Sequence, residues 1–269
     1  MDEIDLEILV EIARKIRHSV HSLLGSRESG RKISIGFGGD FTRLIDQIAE
    51  KAVIQYLEQK NLSCILVGEE GGVQKIGQNP KDYLIVDAVD GTINAIRGIK
   101  FASASLAAAS RDSLNDVEVA AVMNLFDGEI YVAEKNKGAR RDGEKISPSE
   151  TSTLKESIVS VDLSPASERI SMVIPVMKAA RRIRSLGAAS LEICHVASGA
   201  LDAYVDLRGK IRTLDFAAAM LILRESGGFF SLLDTDEMRE IPLTKLKRFS
   251  IIATANEKLY TQIISLLPY

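Results

Sequence analysis

The chain holds only two cysteines, Cys64 and Cys194, far apart and each in an apolar setting. They supply neither the C-x-x-C spacing of a zinc site nor a disulfide framework. Both read as buried free thiols in a reducing compartment, the cytoplasm. Positive charge is not in excess: 34 Lys and Arg stand against 37 Asp and Glu, a net charge of −3. That balance excludes the electrostatic footprint of a nucleic-acid binder. No apolar run approaches the roughly 18 residues needed to span a bilayer. The opening Met1-Asp2-Glu3-Ile4-Asp5 is acidic, the opposite of a signal peptide. Gly36-Phe37-Gly38-Gly39 lacks the spacing of a dinucleotide or P-loop phosphate cradle. What remains is an ordinary globular composition, 269 residues and 46% hydrophobic, enough for one large domain or two smaller ones.

Ile4, Ile8, Ile12, Ile16 and Val20 recur every four residues and predict an amphipathic helix ending near Gly25. His18 and His21 on it read as a solvated face. Residues 26–40 read as a loop, and 42–59 as a second amphipathic helix. Short buried strands follow at 64–67 and 83–86. Residues 101–110, 117–125 and 129–134 read as a three-stranded meander with Asp127-Gly128 as a turn, and 138–145 as a further hairpin. Beyond Pro148 strands and helices alternate. Strands fall near 157–161, 183–186, 201–207, 228–232 and 250–254. Helices fall near 168–179, 189–199, 214–226 and 256–266. The fold class is therefore α/β overall, with an α+β domain over 1–150 and an α/β domain over 151–269.

Acids recur in one local context, the end of a short apolar strand or the start of a helix. Glu69 and Glu70 follow the strand at 65–67, Asp87 and Asp90 follow the strand at 84–86, and Asp215 opens the helix at 216–225. If these carboxylates converge, like charges raise one another's pKa unless a cation compensates. Oxygen donors without His or Cys suit Mg²⁺ or Mn²⁺ rather than Zn²⁺. Taken singly, Asp215 reads as an N-cap, and Glu69-Glu70 and Asp90-Gly91 as turns. Glu192-x-x-His195 occurs once and reads as packing, since di-iron bundles need two copies.

In combination the blocks are specific. Asp87-Ala88-Val89-Asp90-Gly91-Thr92-Ile93-Asn94 resembles the D-P-[LI]-D-G-T-x-N signature of the inositol monophosphatase/fructose-1,6-bisphosphatase superfamily. Gly68-Glu69-Glu70 resembles its G-E-E, and Leu214-Asp215-Phe216-Ala217-Ala218 with Glu225-Ser226-Gly227-Gly228 its W-D-x-A-A…E-A-G-G. Thr42, Asp46 and Glu50 resemble its upstream T-x-x-x-D block with a following acid. Ala88 stands in place of the usual proline and Leu214 in place of the usual tryptophan.

The resemblance implies a layered α-β-α-β-α sandwich, commonly dimeric and sometimes tetrameric, that hydrolyses small phosphate esters. It implies two or three Mg²⁺ ions, with Mn²⁺ as a substitute. Glu69, Asp87 and the Val89 carbonyl would hold one ion. Asp87, Asp90 and Asp215 would hold a second, and a weaker third would sit near Glu69 and Glu70. Thr92, hydrogen-bonded to Asp46, would position and deprotonate a water. Gly91 and Thr92 would face the phosphate, and Ala189, Arg97 and Arg208 the rest of the substrate. Arg208 occupies the place where animal inositol monophosphatases carry an inositol-binding glutamate. Archaeal members accepting both inositol 1-phosphate and fructose 1,6-bisphosphate are therefore the nearest pattern. An adenosine 3′,5′-bisphosphate 3′-phosphatase, a regulatory protein like the bacterial extragenic suppressors, and a structural cation site are the alternatives.

Overall fold

A computed structural model describes residues 4–268 apart from 38, 40, 165–168, 234–240 and 246. Helix α1, Leu6–Val20, is capped by Asp5, whose carboxylate accepts the N–H of Ile8 at 2.9 Å. It buries Leu9, Ile12, Ala13, Ile16 and Val20 on one face. Helix α2, Leu44–Gln59, lies beside it and contributes Ile45, Ala49, Val53 and Leu57 to the same apolar layer.

Both helices cover one face of an eight-stranded sheet. Its strands are β3 (Cys64–Gly68), β4 (Gly72–Ile76), β5 (Tyr83–Asp90), β6 (Ser103–Ala109), β7 (Val117–Asn124), β8 (Ile130–Glu134), β9 (Gly138–Arg141) and β10 (Glu144–Lys145). The order is β10-β9-β8-β7-β6-β5-β3-β4, antiparallel except for β3 beside β5. β6 reads Ser-Ala-Ser-Leu-Ala-Ala-Ala and is buried throughout, as a strand covered on both faces must be. Ala104, Leu106 and Ala108 face the α1–α2 layer, while Ala107 and Ala109 face the opposite side. There they meet helices α5 (Ala189–Ala197) and α6 (Thr213–Ser226).

The other side of that middle helical layer packs on a five-stranded sheet. Its strands are β11 (Ile158–Val161), β12 (Arg182–Arg184), β13 (Ala203–Arg212), β14 (Phe229–Leu232) and β15 (Arg248–Thr254), in the order β12-β11-β13-β15-β14. Helices α4 (Ile170–Ala179) and α7 (Glu257–Leu266) close its outer face through Val173, Val176, Leu259 and Ile263. The result is the α-β-α-β-α sandwich expected from the sequence. Cys64 and Cys194 are buried free thiols, also as expected. No helix among the described residues is long and apolar enough to cross a membrane.

Two local readings change. A ribbon of β1 (Lys32–Ile35) and β2 (Phe41–Arg43) starts in the segment read as a loop and ends in the first residues of the segment read as the second helix. β1 is exposed along its length, so no buried alternation marked it. β13 continues past Leu207 through Arg208-Gly209-Lys210, beyond the strand expected near 201–207. The register slips between Asp206 and Ile211, and this bulge pushes the three residues out of line with β15.

Candidate active site

The opposed carboxylates arise from a bulge in β5. Asp87 pairs with Ser105 of β6 and Asp90 with Ser103, so three steps on one strand match two on the other. Residues two apart share a face of a strand. The extra residue therefore turns Asp90 to the same side as Asp87, toward the middle helical layer. In a regular strand the two would point apart. Gly91 then reverses the chain at φ 82°. A Cβ there would lie 3.0 Å from the Gly187 carbonyl oxygen and from the Ala188 Cβ, so both conformation and space call for glycine. A six-residue helix, α3 (Thr92–Arg97), begins at once.

Glu69 and Asp215 approach from either side. Glu69 follows β3, and Asp215 sits in the first turn of α6, where Oδ2 accepts the N–H of Arg212 at 2.7 Å. One carboxylate oxygen from each of Glu69, Asp87 and Asp215 lies within 4.8 Å of the others. Burial and then the neighbouring charges of Glu69, Asp90 and Asp215 push the Asp87 carboxyl well above its usual range. Burial likewise raises Glu69, against the pull of Arg212. Asp90 accepts the Ser190 N–H at 2.7 Å and the Ser190 hydroxyl at 2.6 Å, at the start of α5. Burial lifts it to about 7 even so. The set is all oxygen and crowded with negative charge, so it fits a hard divalent cation.

An adjoining cavity of about 340 Å³ is lined by Asp46, Glu69, Glu70, Thr92, Gly36, Phe41, Arg43 and Ile93. Thr92 Oγ1 lies 3.1 Å from Asp46 Oδ1 and 3.0 Å from the Val89 carbonyl oxygen. Asp46 also accepts the Arg43 N–H at 2.9 Å, and burial pushes its carboxyl up to about 7. Glu70 accepts a hydrogen bond from the Thr42 hydroxyl.

Glu50 holds the Glu69–Glu70 turn in place. Its two carboxylate oxygens accept the N–H groups of Glu70 at 2.9 Å and Gly71 at 2.8 Å. It fills the space that a Cβ at Gly68 or Gly71 would need, 2.7 Å away in each case. Glu50→Gln keeps the shape but turns an amide NH₂ toward one of two backbone donors. We expect the cation concentration for half-saturation to rise roughly ten- to a hundredfold, with turnover at saturating cation little changed. A cation titration of both proteins checks this.

The raised acids also set a pH dependence. Asp46 and Asp90 carry folded-state values near 7, above their ordinary 3.8. A group raised in the folded state contributes stability below its unfolded value, and that contribution is lost as pH rises through the folded one. Chelator-treated protein should therefore lose several degrees of melting temperature between pH 5 and 8.5. A flat or rising profile would contradict these assignments.

A cleft of about 630 Å³ is lined by Glu69, Asp87, Val89, Asp90, Gly91, Thr92, Ala189 and Asp215. Arg208, Gly209, Lys210, Arg212 and Arg248 also line it, with Asp162. The structure thus brings together every expected ligand residue with Thr92, Gly91, Ala189 and Arg208. Arg208 is held by its neighbours: Nη2 lies 2.6 Å from Asp206 Oδ2 and 2.7 Å from Asp162 Oδ2. Arg97 is exposed at the end of α3 and lines neither cavity, because α3 carries it a full helix length from Thr92. Arg212 and Arg248 were not anticipated. The one signal for Arg212 was its place three residues before Asp215, the spacing of a capped helix start.

The sequence relationships agree with this geometry. A model of the inositol monophosphatase family matches residues 1–268. The chain belongs to that family. Membership places it among the phosphatases, enzymes that hydrolyse phosphoric monoesters. It is 34% identical to the fructose-1,6-bisphosphatase/inositol-1-monophosphatase of Methanothermobacter thermautotrophicus, covering 97% of this chain and 95% of that one. It is 37% identical to the bifunctional NADP phosphatase/NAD kinase of Methanococcus maripaludis over 97% of this chain, and spans only 49% of that longer relative. Among solved structures, a Pyrococcus horikoshii protein described as having similarities to inositol-1 monophosphatase superposes with a TM-score of 0.81, at 29% identity and 98% coverage of both chains.

Proposed function

We propose that the protein is a Mg²⁺-dependent phosphatase of sugar and polyol phosphates, acting on inositol 1-phosphate, fructose 1,6-bisphosphate or both. The observation that carries this reading is the convergence of Glu69, Asp87 and Asp215 to within 4.8 Å, with the Thr92–Asp46 pair beside them. Glu69, Asp87 and the Val89 carbonyl would hold one Mg²⁺, and Asp87, Asp90 and Asp215 a second, with Mn²⁺ able to replace them. Such ions lower the pKa of water and neutralise charge on a transferring phosphoryl group.

The chain supplies position and proton handling. Thr92 can accept a hydrogen bond from water while passing its own proton toward Asp46, whose raised pKa suits it to receive one near neutral pH. Gly91 leaves the start of α3 open to the phosphate. On the wall that β13 and β15 contribute, Lys210 and Arg248, whose Nη1 donates to the Lys210 carbonyl at 3.2 Å, add positive charge that a second anionic group could meet. Arg208, shared between Asp162 and Asp206, shapes that wall and contributes less net charge to it.

A second reading takes NADP as the substrate, losing its 2′-phosphate. It is favoured by the relative that carries an NADP phosphatase activity in its name. Phosphate release from inositol 1-phosphate, fructose 1,6-bisphosphate, NADP and adenosine 3′,5′-bisphosphate, with and without Mg²⁺, separates these readings. Release from none of the four would end the phosphatase proposal. Release without Mg²⁺ would end its metal part.

A further inference from the structure

Arg212 lies inside the acidic cluster, and the ligand readings above leave it without a task. It is 9% exposed and precedes the first turn of α6. Its Nη1 is 2.7 Å from Glu69 Oε1, and its Nη2 is 2.8 Å from Asp215 Oδ1. Nε lies 3.1 and 3.2 Å from the two Asp215 oxygens, and the backbone N–H reaches Oδ2 at 2.7 Å. A carboxylate offers about four lone-pair sites. Each Asp215 oxygen already meets two N–H contacts, all from this one residue.

We propose that Arg212 is a built-in rival of the metal, a fixed cation that grips Glu69 and Asp215 by the oxygens a divalent ion would take. The inference rests on the metal reading given above. A guanidinium cannot be deprotonated in a protein, so it holds its charge at every working pH. It joins a carboxylate from the end of β3 to one at the start of α6, and so keeps the two acids at ligand spacing. A cation entering between Glu69, Asp87 and Asp215 must draw both carboxylates away from the arginine and must also bear its repulsion. Arg212 therefore weakens metal binding while it stabilises the protein that has yet to bind.

These two effects separate it from a residue that merely orients ligands. Removing an orienting partner loosens the metal, typically ten- to a hundredfold. Removing a rival tightens it. The test is Mn²⁺ binding to chelator-treated protein at pH 8, read by electron paramagnetic resonance and by calorimetry. Melting with and without Mn²⁺ accompanies it. Arg212→Met keeps the length of the side chain and removes the charge. It should bind Mn²⁺ roughly tenfold tighter than the unaltered protein, melt lower without the ion, and gain more degrees on adding it. Arg212→Lys keeps a point charge without the bidentate fork and should fall between the two; it also carries the test if the Met variant does not fold. Weaker or unchanged Mn²⁺ binding in the variants overturns the proposal. Absence of Mn²⁺ binding to the unaltered protein overturns instead the metal reading on which it rests.

Discussion

Asp87→Asn should lower phosphate release by about 10³-fold or more, the upper range for removing one preorganised charge-stabilising group. Asp87 is the most buried of the three clustered acids. It is buried, it lies within reach of Glu69 and Asp215, and both proposed ions draw on it. An amide keeps its volume but surrenders the charge on which both proposed ions would draw. The same change should stabilise chelator-treated protein, because it removes a buried negative charge from a crowded cluster. Lost activity with a raised melting temperature would be the signature. Lost activity with a lower melting temperature would mean that the variant is simply damaged.

Thr92→Ala should lower turnover by roughly 10²- to 10⁴-fold, the range ascribed to positioned general acid–base groups. Thr92 meets Asp46 through its hydroxyl alone, and removing that oxygen cuts the route from water to the carboxylate. Metal binding should stay close to normal, because no carboxylate is altered. Thr92→Ser, which keeps the hydroxyl, should restore most of the rate. Steady-state turnover together with Mn²⁺ titration reads both. Full activity in the alanine variant would remove Thr92 from the proton route, and a large loss of Mn²⁺ binding would recast it as part of the ligand frame.

The acids were legible in the sequence because their chemistry is written in short contiguous runs. Residues 87 to 94 contain two carboxylates, a turn and a helix start, and each residue type has a local reason to be there. The layer order was expected only from the resemblance, but the elements that build it have local causes. β6 is apolar or small throughout, as a strand covered on both faces must be, and α1 repeats its isoleucines every four residues. The substrate wall was harder to read. Arg208, Gly209 and Lys210 belong to a bulge inside β13, and a bulge has no periodicity, so the strand seemed to end at Leu207. Arg212 was hidden by a different ambiguity. An arginine three residues before an aspartate at a helix start is an ordinary cap in sequence. Only the arrival of Glu69 from another strand shows that the arginine grips two acids. Arg97, expected to face the substrate, lies outside both cavities, because a helix separates it from Thr92.

The layer order has a consequence for how the protein comes apart. Asp87 and Glu69 belong to the first sheet, while Asp215 and the Ser190 partner of Asp90 belong to the helices between the sheets. Those helices bury Leu191, Phe216 and Leu223 against apolar residues of both sheets at once. Neither sheet can lose its inner cover without dispersing the acids, so unfolding from either side abolishes the site as it begins. A cation held by Asp87 and Asp215, as proposed above, would act as a rivet through the layers. By mass action, its concentration would help set how long the whole sandwich survives.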